Sequence, residues 1–106
     1  HEITPHSKEQ LNKLARWLRI HKTRTCNVYG FTDCRGTQDY NLRLSKNRAQ
    51  TVRVYLSYKG ISMKRTFNIP MGSTNYVNNC YQDEDCTEAE HRENRRCEFQ
   101  INDIKE

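Results

Sequence analysis

The sequence predicts a two-layer α/β (α+β) sandwich, a mixed sheet of about four strands with helices packed on one face. Three observations carry this. Leu11 to Leu18 and Leu44 to Leu56 place apolar residues at helical spacing, whereas Cys26 to Phe31 and Cys97 to Ile101 alternate with the period of a strand. The two kinds of element also take turns along the chain, in the order α-β-α-β-α-β.

The first helix opens at Thr4, a capping residue, with Pro5 at the first helical position, where its missing N–H costs nothing. Leu11, Leu14, Ala15 and Leu18 form its inner stripe, Trp17 and Ile20 widen it, and His21-Lys22-Thr23-Arg24 ends it. A strand follows over Thr25–Phe31, then a polar loop, Thr32 to Gln38, that contains a glycine. The long helix runs from about Asp39 or Tyr40 to Lys59, with Gly60 suited to its C-terminal cap. Leu44, Arg48, Ala49, Val52, Tyr55 and Leu56 lie along its inner side. A second strand falls within Lys64 to Ile69, ended by Pro70 and Gly72, and a polar loop runs from Ser73 to Cys86. Thr87-Glu88-Ala89-Glu90 is a capping-box pattern opening a short helix to about Asn94. The last strand is Arg96 to Ile101, and His1 to Ile3 read as the remnant of a further strand at the chain start.

At 106 residues with 34% apolar content the chain suits one domain, residues 1–106, with a core that must use most of its long apolar side chains. No run of about 18 apolar residues exists to span a membrane, and no N-terminal apolar segment reads as a signal. The net charge of +5 favours an anionic partner without choosing among nucleic acid, acidic lipid and anionic polymer. Five cysteines (Cys26, Cys34, Cys80, Cys86 and Cys97) suggest an oxidising compartment, and the odd count leaves at least one thiol. The short polar loop between Cys80 and Cys86 could close as a disulfide. Cys26 and Cys97, in strand alternations, read as small buried hydrophobes, and Cys34 is open to either fate.

Arg48 is the informative oddity. It stands four residues from both Leu44 and Val52 and shares their helix face, so its guanidinium needs a carboxylate, a ligand or a route to solvent. Asp33, at the end of the strand expected beside this helix, is the natural counterpart, in the loop position where α/β sheets place ligands.

Tyr29-Gly30-Phe31-Thr32-Asp33, Gly36, Tyr40-Asn41, Leu44-Ser45, Arg48-Ala49, Val52 and Tyr55-Leu56 resemble, at fixed spacing, the core motif of the OmpA C-terminal-like family. Gly60-Ile61 and Asn94-Arg95-Arg96 with Glu98 are similar to two later signatures of that family, so the resemblance covers about Thr4 to Ile101. It implies an OmpA-C-like sandwich whose first strand is truncated here. It also implies noncovalent, non-catalytic binding of peptidoglycan through the diaminopimelate of its stem peptide, without a cofactor. Carried over by motif position, Asp33 accepts the ligand's ammonium and Arg48 clamps its carboxylate. Thr32, Asn41 and Leu44 line the site with Tyr40 beside them, and Arg95 or Arg96 faces it. The implied setting is the periplasm, associated with the outer membrane, as the anchor of a larger envelope protein. Cys80, Cys86, His91 and Asn94-Arg95-Arg96 resemble a Bacteroidetes-type subgroup that includes components of the type IX secretion apparatus.

Asn68 to Tyr76 depart from the family pattern, keeping only Gly72 clearly, and Cys34 is not part of the motif. Three rival readings have weaker support in the sequence. A zinc site of Cys80, Cys86, His91 and Cys97 lacks the tight two-residue turn of a zinc knuckle. Nucleic-acid binding has the charge and six tyrosines, but acids are interleaved throughout and no recognition helix stands out. An enzyme would need a carboxylate pair or a Cys/His pair of defined geometry, and neither is legible.

Overall fold

The computed structural model describes residues 3–82 and 86–102. Helix α1 (Pro5–Ile20) is followed by β1 (Thr25–Phe31) and α2 (Gln38–Tyr58). A 3-10 turn (Met63–Arg65) leads into β2 (Thr66–Gly72), and α3 (Glu88–Asn94) and β3 (Cys97–Asn102) complete the order. Among the described residues the sheet has three strands, in the order β2-β1-β3, against the about four expected. Strand β1 pairs parallel with β2 across the α2 crossover and antiparallel with β3, from Thr25↔Asn102 to Gly30↔Cys97. Of the expected N-terminal strand remnant, His1 and Glu2 lie outside the described residues and Ile3 is in no strand.

The helix starts follow from their caps. The Oγ1 of Thr4 accepts from the Ser7 N–H, that of Thr37 from Tyr40, and Thr87 with Glu90 forms a reciprocal capping box. Strand β2 runs three residues beyond the expected end, through Pro70 to Gly72. Proline survives there because β2 is an edge strand, so its missing N–H takes no bond from the ladder. Leu11, Ala15 and Leu18 of α1 and Ala49, Val52 and Leu56 of α2 close over Cys26 and Val28 of β1, with Ile61. Ile20, expected on this face, is exposed. On the other sheet face Tyr29 Oη donates to Gln100 Oε1 at 2.6 Å, beside Asn27, with Phe67 and Ile69 in register on β2.

Two contacts set α2 against the strand end that carries the site. Gly30 admits the close approach, since a Cβ there would collide with the Ser45 carbonyl oxygen. Ser45 Oγ accepts from the Gly72 N–H at 3.0 Å, and the Gly72 carbonyl accepts from the Thr32 N–H at 2.9 Å. The helix start, the end of β1 and the end of β2 are thus tied together, which fixes the backbone on either side of Asp33.

Candidate functional site

Beyond the carboxyl end of β1 the chain turns at Thr32 and Asp33. The Asp33 side chain, about 10% exposed, accepts from the Arg35 N–H at 3.0 Å through Oδ1, a local Asx-type turn. Its Oδ2 takes charged hydrogen bonds from Arg35 Nη2 at 2.9 Å and Arg95 Nη1 at 2.8 Å. Burial pushes the Asp33 carboxyl up, but these bonds from Arg35 and Arg95 outweigh it and hold the carboxyl at about 2. Arg95 stands just past the end of α3 and also donates to Glu88 Oε1 at 2.7 Å. Burial works against the charge of Arg95, but its bonds to Asp33 and Glu88 prevail and raise its pKa.

Asp33, Arg35, Gly36, Tyr40, Asn41, Leu44 and Arg95 line one cavity of about 330 Å³. Asn41 is 1% exposed, yet neither its Oδ1 nor its Nδ2 has a hydrogen-bond partner among the described residues. Leaving a buried amide unmatched costs about 1–3 kcal/mol, which makes Asn41 a candidate contact for a polar group. Gly36, with φ +93°, keeps the approach open: a Cβ there would sit 3.3 Å from the Tyr40 ring and 3.6 Å from Asn41 Oδ1. Tyr40 itself is exposed.

Arg48 is not in that cavity wall. It lines a second cavity of about 450 Å³ with Val52, Arg95, Arg96, Cys97, Phe99 and the start of α1. Its Nη1 donates to the Phe31 carbonyl at 2.5 Å, and among the described residues it makes no ion pair. Burial lowers its pKa, with Arg95 adding repulsion and Asp33 offsetting part of it; the guanidinium stays charged. Asp33 and Arg48 therefore do not contact each other, as the helix stripe suggested they would. The partners of Asp33 are Arg35, two residues on, and Arg95, sixty-two residues on. Thr32 is fully buried, its Oγ1 turned to the Asp33 carbonyl, and is not in the cavity wall.

Of the arginine pair, Arg95 is the one on Asp33. Arg96 stacks on Phe31, 4.0 Å from the ring centroid, bonds Glu98 and holds the Asn75 carbonyl at 2.6 Å. Asn94, fully buried, accepts from the Val77 N–H and donates to Asn78, pinning the long loop. Cys80 and Cys86 form a disulfide with Cα atoms 5.8 Å apart, so two ligands of the zinc reading are consumed. Cys97, its third cysteine, stands instead beside Arg48, with its thiol pushed up to about 11 by burial. Arg35 and Glu88 were missed in the sequence; the only local signal was an Asp followed two residues later by Arg.

The OmpA family model matches residues 1–93. The chain belongs to the OmpA family. Its curated relatives include the peptidoglycan-associated lipoprotein of Buchnera aphidicola, 35% identical over 73% of this chain and 44% of its own length. That of Legionella pneumophila is 33% identical over 84% of this chain and 48% of its own. The chain thus spans less than half the length of these relatives. Among solved structures, the peptidoglycan-associated lipoprotein of Burkholderia pseudomallei superposes with TM-score 0.80 at 29% identity, over 93% of this chain and 80% of that one. The C-terminal domain of Helicobacter pylori MotB shares the fold, with TM-score 0.78 at 22% identity, over 97% of this chain and 77% of that one. This OmpA-family fold is the expected α/β sandwich.

Proposed function

We propose that residues 1–106 form one OmpA-like binding module that holds peptidoglycan noncovalently, without catalysis, and anchors a larger envelope protein to the cell wall. The observation that carries this is Asn41, a buried and unpartnered amide in the wall of the cavity that holds Asp33. Membership of the OmpA family and relatives named for peptidoglycan association support the wall as the source of the ligand. They also support a periplasmic setting at the outer membrane.

The ligand group we infer is diaminopimelate in the stem peptide, which presents an ammonium and a carboxylate on one carbon. A carboxylate has about four acceptor sites. Arg35 and Arg95 occupy three at Asp33, leaving capacity for a ligand ammonium. Arg48 keeps donors beyond the one spent on Phe31, and arginine grips a carboxylate with two parallel bonds. The two cavities share Arg95 as a wall; in the proposed complex the ligand lies across it, its ammonium toward Asp33 and its carboxylate toward Arg48. Asn41 supplies a donor and an acceptor to the peptide, against Tyr40 and Leu44. A stem peptide with lysine lacks the carboxylate and leaves Arg48 unmatched, which is discrimination by an unsatisfied charge.

Sedimentation with diaminopimelate-type sacculi tests the reading. Arg48→Ala and Asp33→Ala should each leave the pellet while far-UV circular dichroism stays that of the parent. Loss of one charged partner costs roughly 2–5 kcal/mol, enough to abolish a pull-down. Both variants sedimenting like the parent would overturn the assignment.

A further inference from the structure

Beside the Asp33 site lies a sulfur cluster that ligand binding does not use. The thiol of Cys34 follows Asp33 directly in the chain. Its Sγ, the Sγ of Cys80 and a ring nitrogen of His91 all lie within 4.8 Å of one another. Cys80 is bonded to Cys86, and His91 Nδ1 is 3.5 Å from Cys80 Sγ. Cys80 and His91 are buried, whereas Cys86 reaches partly into solvent. A thiol next to a disulfide sulfur, with an imidazole at hand, is the arrangement of thiol–disulfide exchange.

We propose that Cys34, Cys80 and Cys86 form one exchange centre, in which the disulfide moves between Cys80–Cys86 and Cys34–Cys80. Cys34 gives its proton to the His91 imidazole, and the resulting thiolate attacks Cys80 Sγ. The Cys34–Cys80 bond forms as the Cys80–Cys86 bond breaks. Cys86 departs with the electron pair as a thiolate and is protonated from water, and His91 returns its proton to solvent. One disulfide and one thiol are present before and after, so the step needs neither oxidant nor reductant. The direction of attack follows from placement: Cys80 is the sulfur beside Cys34, and the partly exposed Cys86 is the leaving group that water can solvate. Cys26 and Cys97 stand apart, since burial pushes both thiols up to about 11 and leaves them protonated near neutral pH. The exchanged form would tie the residue after Asp33 to the base of the 73–86 loop.

The test is disulfide mapping of the full chain, purified without reductant, held at pH 8, quenched in acid, alkylated and digested. Two linked species are expected: Cys80–Cys86 with Cys34 alkylated, and Cys34–Cys80 with Cys86 alkylated. Cys86→Ser treated with glutathione disulfide should form the Cys34–Cys80 bond in nearly all molecules. Cys34→Ser should keep Cys80–Cys86 alone. Finding only Cys80–Cys86 in the parent, together with Cys34 and Cys80 both remaining unlinked to each other in Cys86→Ser, would overturn the proposal. Should Cys86→Ser fail to fold, the parent's map decides by itself: a single Cys80–Cys86 species after prolonged incubation counts against exchange.

Discussion

Replacing Asn41 by leucine should make the protein more stable and its binding worse. The side chain is 1% exposed, and both its amide atoms lack partners among the described residues. Burying such an amide unmatched costs about 1–3 kcal/mol. Leucine has the same side-chain heavy-atom count and the same branching at Cγ, is somewhat larger, and has no polar atom to desolvate; its higher helix propensity adds about 0.5 kcal/mol at this position near the start of α2. The expected gain is about 1–3 kcal/mol, read as a higher urea midpoint with unchanged slope. In a domain of this size each kcal/mol raises Tm by about 4–8 °C. The same variant should sediment poorly with sacculi, because the polar contacts that justify the amide are gone. That opposition, stability up and binding down, is what a functional residue carrying a folding cost produces. An Asn41→Leu protein that is less stable than the parent would mean that the amide is satisfied in the unliganded fold and carries no folding cost. Undiminished sacculus binding would refute its assignment to the site.

Other expectations follow from single contacts. Asp33→Asn should cost about 2 kcal/mol at pH 7, from the fall of the carboxyl from 3.8 to about 2. Because the folded pKa is the lower one, this stabilisation is complete above about pH 4 and is lost as pH falls toward 2; urea melts of parent and variant should converge there. Gly30→Ala should lower stability by about 3 kcal/mol or prevent folding, as its methyl meets the Ser45 carbonyl; thermal melting reads it. Thr87→Ala should cost about 1 kcal/mol by losing the α3 capping box, and hydrogen exchange at Glu90 should speed up. Counting thiols in denatured, unreduced protein should give three, because one disulfide joins Cys80 and Cys86.

Most of the architecture was legible because local signals and tertiary packing agree. Thr4 and Thr87 cap their helices as their sequence positions suggest, and Ala15, Ala49 and Val28 sit where their periodicity puts them. The end of β2 was misplaced because Pro70 is a strand breaker by local rule, and its edge position is a tertiary fact. In the site, Asp33, Tyr40, Asn41, Leu44 and Arg95 share one cavity, whereas Arg48 lines the neighbouring one and Thr32 is buried beneath. The partner of Asp33 could not be read from helix spacing. Arg95 reaches it from the end of α3, and only the folded chain brings those segments together. The nearness of Cys34 to Cys80 and His91 was hidden for the same reason.

In the proposed function, this chain reads an ammonium and a carboxylate carried by one carbon of a stem peptide. An NMR titration of labelled protein with two stem peptides, differing only in diaminopimelate or lysine at the third position, tests it most directly. Shifts are expected at Asp33, Asn41 and Arg95 with the diaminopimelate peptide, and affinity at least tenfold weaker with lysine. Equal affinities, or shifts confined to residues away from both Asp33 and Arg48, would contradict it.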